Sequence, residues 1–163
     1  MTKQDYITRL NLQKHPEGGY FKEVYRAPQS FQPEGFDGDR NYLTSIYFLL
    51  ERNQVSHFHR ILSDELWYYH GGAPCRVYQI DAKGVCTHFD LGLELTKGEQ
   101  PFGFVPSGNI FGAEALGDFT LVSCAVSPGF DFKDFTLMTT SDLLQRYPEH
   151  ASLIKRFTKE KYH

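Results

Sequence analysis

Three cysteines in 163 residues, Cys75, Cys86 and Cys124, form an odd set without CxxC spacing, which argues against a disulfide framework. Long hydrophobic runs are missing too: the longest uninterrupted apolar stretch is Ile46-Tyr47-Phe48-Leu49-Leu50, far too short to span a bilayer. There is no basic surplus. Lys and Arg total 17 against 20 Asp and Glu, a net charge of -3, so a nucleic-acid polymer is not the expected partner. The glycines follow neither a GxGxxG nor a Walker pattern, which removes the usual phosphate-cradling loops. The opening MTKQDYITRLNLQKH is polar and lacks a signal-peptide core, and no Asn-x-Ser/Thr acceptor occurs. A cytoplasmic protein with no membrane partner is the expectation.

What is present favours one domain over residues 1–163, enough chain to bury roughly 70% of its extended surface without staples. Aromatics make up 15% of residues, a bias that suits pleated, half-buried surfaces. A short helix is predicted at the start, with Thr2 as cap, Asp5 three residues on, and an apolar stripe of Tyr6, Ile7 and Leu10. Pro16 and Gly18-Gly19 end it. Residues 20–26 read as a strand, with Phe21, Glu23 and Tyr25 on one face and Lys22, Val24 and Arg26 on the other. Residues 28–41 form a long loop rich in Pro, Gly and Asp. Strand-like runs follow at about 42–50, 55–60, 65–70, 75–81, 85–91, 102–106, 109–116 and 119–127, separated by turn signals. That rhythm predicts an all-β sandwich or barrel. An extended aromatic segment at 130–138 precedes two terminal helices, 141–146 and 148–157, the second with Pro at its start.

The chemistry concentrates in SHFHRILSDELWYYHGG, residues 56–72. Strand parity puts His57 and His59 on one face, and a tight connection returns Glu65 beside them. Two imidazoles and a carboxylate suit either a facial metal triad or an acid–base set. Trp67 and Tyr69 share the parity of Glu65, and with Tyr47 they are candidates for an aromatic binding wall; core packing is the competing reading for each. Arg26 and Arg40 are candidate anion binders, against ordinary ion pairing. Cys124, in TLVSCAV, reads as a small core residue.

His57, His59, Glu65 and Gly72, followed by Val105-Pro106-Ser107-Gly108, resemble the two motifs of the cupin superfamily. HPEGGYFKEVYR (15–26), SIYFLL (45–50), VPSGNIFGA (105–113) and SPGFDFKDF (127–135) extend the resemblance to the small single-barrel cupins grouped as a family of unknown function. The resemblance implies a double-stranded β-helix, or jelly-roll barrel, with short terminal helices and a ligand cavity inside. HPEGGY, residues 15–20, reads as a turn that Gly-Gly supplies; the resemblance places it instead on the strand entering the barrel, with Glu17 as a candidate to face the pocket opening. Two departures stand out. Five residues separate His59 from Glu65 where the motif has three or four, and Phe111 occupies the position of the fourth metal ligand.

Two function classes follow from this resemblance. One is a metal-independent sugar isomerase or epimerase in which His59 is the base and Glu65 its orienting partner, with His57, Tyr47, Trp67, Tyr69, Phe111, Glu17 and Arg26 around the ligand. The other is a non-catalytic protein binding a sugar-related or nucleotide-sugar-like molecule. No resident cofactor is expected. A weakly held divalent transition metal on His57, His59 and Glu65 is the alternative, and a homodimer is the expected assembly.

Overall fold

The computed structural model describes residues 1–162. Helix α1 (Lys3–Arg9) carries the expected capping box: the Asp5 N–H donates to Thr2 Oγ1 at 3.1 Å and the Thr2 N–H to Asp5 Oδ2 at 2.8 Å. The strands are β1 (Gln13–Lys14), β2 (Tyr20–Arg26), β3 (Ser30–Phe31), β4 (Arg40–Asn41), β5 (Thr44–Glu51), β6 (Val55–Arg60) and β7 (Asp64–Gly72). They continue as β8 (Cys75–Ile80), β9 (Cys86–Leu91), β10 (Phe102–Val105), β11 (Ile110–Ala115), β12 (Phe119–Ser127) and β13 (Thr136–Leu137), before helices α2 (Thr140–Arg146) and α3 (Ala151–Phe157). Two antiparallel sheets face each other: a six-stranded one in the order β1-β2-β5-β12-β7-β10 and a five-stranded one in the order β13-β6-β11-β8-β9. This is the predicted jelly roll. Among the described residues, no helix is long and apolar enough to cross a membrane.

Alternation along the strands sorts the apolar residues into three layers. Between the sheets lie Phe48, Trp67, Val77, Phe111 and Val122. Outside the five-stranded sheet, Phe58, Ile80 and Ile110 meet Leu143, Ile154 and Phe157 of the C-terminal helices. Outside the six-stranded sheet, Leu49 and Leu121 meet Leu12, with Tyr6, Ile7 and Leu10 of the α1 region against them. Helices α2 and α3 have seven residues each, too few to be stable alone, so this packing holds them.

Three β-bulges break the simple alternation. In β2, Glu23 faces Ile46 while Tyr25 faces Ser45, so one extra residue reverses parity and Arg26 joins Phe21 and Glu23 on the inner side. In β6, His59 faces Phe111 and Ser56 faces Ala113, which leaves His57 and Phe58 together opposite Gly112. A side chain at Gly112 would collide with the Ser56 carbonyl at 2.6 Å, so glycine permits this bulge. In β7, an extra residue lies between Tyr69 and Gly71 opposite Leu121 and Val122.

Other differences from expectation are local. The 28–41 loop contains the β3–β4 pair. The 130–138 segment is not a continuous strand; a single 3-10 turn, Phe132–Asp134, precedes the two-residue β13. The predicted 148–157 helix begins as a 3-10 turn, Pro148–His150, before α3.

Candidate functional site

A cavity of about 450 Å³ opens into the barrel between β2, β5, β6 and the 128–135 segment. His15, Glu17, His59 and Glu65 supply its deep polar groups, and Phe21, Phe130, Phe132 and Phe135 its aromatic surface. Arg26, Glu23 and Asp131 add charge to the lining.

Glu17 reaches the cavity because of the turn that carries it. His15 N–H donates to Gly19 O at 2.9 Å and Gly18 N–H to His15 O at 3.0 Å, closing the β1–β2 hairpin. Gly18 has φ +109°, and a Cβ there would lie 2.1 Å from Val55 O, so the hairpin tip presses onto β6 as only glycine can. The Glu17 carbonyl then accepts both the His57 N–H and the His57 Nδ1–H, each at 2.7 Å. The Glu17 side chain is carried inward.

A closed circuit of hydrogen bonds defines the protons. The His57 carbonyl can only accept, so His59 Nδ1, 2.7 Å away, carries hydrogen. That leaves His59 Nε2 to face Glu17 Oε2 at 2.8 Å, a charge-assisted contact between two buried groups. Burial alone would raise the Glu17 carboxyl, but opposing effects led by the charge of His59, with its hydrogen bond, bring Glu17 down to about 2. Burial likewise pulls His59 down, and the Glu17 carboxylate more than compensates, so the imidazole is raised above its ordinary value. Phe111 and Phe135 pack on the imidazole at centroid distances of 4.1 and 5.3 Å.

Glu65 is the opposite case. Burial and then the negative charge of Glu17 push it up to about 8, against smaller opposing effects of His59 and the Trp67 N–H. The protonated form is therefore favoured at neutral pH. Trp67 Nε1–H donates to Glu65 Oε2 at 3.0 Å, so the acid hydrogen belongs on Oε1. A buried carboxyl, Glu17, and a half-buried one, Glu65, therefore line one cavity with their pKa values shifted in opposite directions, the arrangement by which acid and base roles are separated.

Several expectations need correction. The orienting partner of His59 is Glu17, not Glu65, because the hairpin tip delivers Glu17 straight to Nε2 while the oxygen Oε2 of Glu65 is taken by the indole. His57 does not line the cavity: the β6 bulge turns its ring toward Tyr162, 5.8 Å away, and it serves as a clamp on the Glu17 backbone. Trp67 and Phe111, each 1% exposed, are core residues behind the site and not ligand walls. Tyr69 packs on the core and gives its hydroxyl hydrogen to Gly72 O at 2.5 Å. Tyr47 lies on the outer face of the six-stranded sheet beside His70, at 6.4 Å. Arg40 is locked into Asp134 through Nε and Nη2 at 2.8 and 2.7 Å, and so is not a free anion binder. Arg26 and Glu17 do line the cavity, with Arg26 bound to Glu23, Asn41 and the Phe130 carbonyl.

A metal does not fit the expected ligand set. His57 is turned away and committed to the Glu17 carbonyl, and Phe111 offers a phenyl ring where a fourth ligand would stand. Among the described residues, no three His, Cys, Asp or Glu side chains are grouped to hold a metal ion.

Cavity-facing residues that sequence reasoning misses include His15, Phe21, Glu23, Asp131 and the 130–135 aromatics, and Cys124, read only as core, lines the cavity as well. The one signal for His15 is its place two residues before Glu17 in a Gly-Gly turn.

Comparison with known proteins agrees with the fold. Residues 4–138 match the model of the family described as Cupin superfamily (DUF985). The uncharacterized protein YML079W of Saccharomyces cerevisiae is 32% identical, over 91% of this chain and 82% of its own length. A hypothetical protein from Leishmania major superposes with TM-score 0.92 at 37% identity, covering 98% of this chain and 100% of the other. Protein SO0799 from Shewanella oneidensis gives TM-score 0.92 at 41% identity over 99% of both chains. Oxalate decarboxylase from Bacillus subtilis shares the fold alone, at TM-score 0.58 and 19% identity, covering 91% of this chain and 37% of that one. The family-model match over residues 4–138, the shared barrel and this coverage lead to one assignment: the chain belongs to the cupin superfamily, in its DUF985 family.

Proposed function

We propose that the barrel binds a small polar, sugar-related or nucleotide-sugar-like molecule and exchanges protons with it, as a metal-independent isomerase or epimerase does. The observation carrying this reading is the pair of carboxyls on one cavity, Glu17 at 2.8 Å from His59 Nε2 and Glu65 accepting the Trp67 indole hydrogen, with Glu17 shifted down by His59 and Glu65 up by burial and the Glu17 charge. Both ring nitrogens of His59 are occupied by protein, so the atom that meets the ligand is Glu17 Oε1, with His59 behind it. When His59 is neutral, the carboxylate–imidazole unit takes up one proton with the raised affinity of the ring, which makes it a stronger base than Glu17 beside an imidazolium. Glu65 Oε1–H is the complementary acid. The aromatic residues Phe21, Phe130 and Phe132 suit the apolar face of a sugar or a base.

The test is a panel of sugars, sugar phosphates and nucleotide sugars scored by thermal shift, followed by NMR of each binder with the protein in deuterated water. Solvent deuterium should enter a carbon-bound position of a binder, and Glu17→Gln or Glu65→Gln should abolish that exchange while leaving binding. A binder that exchanges no hydrogen would favour the second reading, a non-catalytic binding protein, which the full occupation of both His59 nitrogens also supports. No binder at all would remove both.

A further inference from the structure

His15 is the third polar group of the cavity, and its proton is set by geometry. The Glu17 N–H donates to His15 Nδ1 at 3.1 Å, so this nitrogen carries a lone pair and the hydrogen belongs on Nε2. The ring is wedged edge-on between Phe21 and Phe48, at centroid distances of 4.5 and 5.9 Å, which fixes its orientation. Burial lowers its pKa against the pull of Glu17, in keeping with a neutral ring. Among the described residues, neither Nε2 of His15, nor Oε1 of Glu17, nor Oε1 of Glu65 is a buried atom lacking a partner, and none forms a hydrogen bond inside the protein. All three residues line the cavity, so these atoms open onto it.

The cavity thus offers two neutral donors, His15 Nε2–H and Glu65 Oε1–H, and one anionic acceptor, Glu17 Oε1. We propose that this trio selects an α-hydroxy carbonyl compound, an open-chain aldose or ketose, with His15 as the neutral donor that polarises the carbonyl oxygen. The inference rests on the acid–base reading of Glu17 and Glu65 given above. Glu17 Oε1 takes the proton from the carbon next to the carbonyl, and the C–H electron pair becomes the carbon–carbon double bond. The carbonyl π pair moves to oxygen, which takes the Glu65 Oε1 proton and forms a neutral enediol. Return of the Glu17 proton to the former carbonyl carbon, while Glu65 recovers a proton from the neighbouring hydroxyl, completes an aldose–ketose interconversion. No oxidant or reductant is consumed. A neutral imidazole suits the donor role because it stabilises the developing negative oxygen without giving up its proton.

The experiment uses the intact protein with two matched probes, D-xylulose and the carbonyl-free xylitol. The free protein's ¹⁵N spectrum should show His15 with Nδ1 unprotonated and Nε2 protonated. Xylulose should bind about tenfold more tightly than xylitol, the size of one well-placed hydrogen bond, and should shift the His15 Nε2–H resonance. His15→Phe, which keeps the aromatic packing, should bring the ratio near one. His15→Gln, which keeps a donor, should hold most of it. A proton on Nδ1, or a ratio unchanged in His15→Phe, would overturn the proposal and leave the binding reading intact. Equal binding of both probes to the wild type would do the same. If carbonyl-free members of the wider panel alone bind, this proposal falls and the binding reading stands; if nothing binds, both fall. Should His15→Phe fail to fold, the wild-type ratio and tautomer still decide.

Discussion

The His57 carbonyl accepts the His59 Nδ1–H at 2.7 Å, and this one bond sets which face of the His59 ring meets Glu17. His57 also holds the Glu17 carbonyl through its own Nδ1–H, so a residue outside the cavity positions two residues inside it. His57→Phe should therefore cost about 0.5–1.5 kcal/mol of stability by removing one of the two hydrogen bonds to the Glu17 carbonyl, the backbone N–H remaining. It should also lower the His59 pKa, because the carboxylate is less firmly placed. Urea denaturation and a histidine NMR titration measure the two effects. Loss of stability with an unchanged His59 would confine His57 to a structural role.

Much of this molecule is legible in its sequence. Strand β12 (Phe119–Ser127) and strand β6 (Val55–Arg60) have the predicted bounds, because period-two patterning and the flanking turn residues agree there. The Thr2–Asp5 cap is equally plain. Parity across bulges is not. Simple alternation places His57 beside His59 and Arg26 opposite Phe21, and in each case one inserted residue reverses the face. A bulge is stabilised by its partner strand, here by Gly112 opposite His57 and Phe58, which short-range patterning does not register. Family resemblance offers Glu17 only as a candidate beside a plain turn reading, since its contact with His59 spans 42 positions and depends on Gly18 meeting Val55. Only the folded barrel brings those parts together.

Glu65 gives a second prediction, on pH. Folding raises this carboxyl from its ordinary 4.5 to about 8, so the native state prefers the protonated form. Its contribution to stability is complete below the ordinary value and is lost as pH rises from about 4.5 through about 8. The loss is on the order of a few kcal/mol. Glu65→Gln, an isostere of the neutral acid, should flatten the fall in melting temperature between pH 6 and 9. Parallel curves for wild type and variant would show Glu65 to be ionised in the native state.

The 128–135 segment forms one wall of the cavity and is pinned by the Arg40–Asp134 pair, whose side chains are 2% and 6% exposed. Phe130 N–H to Thr44 Oγ1 at 2.9 Å and Ser63 Oγ to the Pro128 carbonyl at 2.6 Å hold its base. Asp134→Ala strands the guanidinium and should cost roughly 3 kcal/mol. It should also speed backbone hydrogen exchange across residues 130–135 more than in β12. Uniform acceleration over the whole chain would mean that the pair supports the fold without holding this wall in particular.

A homodimer is also expected of this chain. Light scattering coupled to gel filtration should give twice the 18.8 kDa chain mass at micromolar concentration. A mass of one chain would remove that expectation and leave the cavity chemistry untouched.

The most direct measurement is the titration of His59 by NMR in three proteins: wild type, Glu17→Gln and Glu65→Gln. The wild-type imidazole should titrate above its ordinary 6.5, held there against burial by Glu17, with His15, His57 and Glu65 as the other titratable groups around it. Glu17→Gln removes the charge at 2.8 Å and should lower the His59 pKa by more than one unit, about 1.4 kcal/mol or more of lost stabilisation. Glu65→Gln replaces a group that is already neutral below about pH 8 and should move His59 much less. A His59 that follows Glu65 and ignores Glu17 would contradict the carboxylate–imidazole unit on which the reading of the cavity depends.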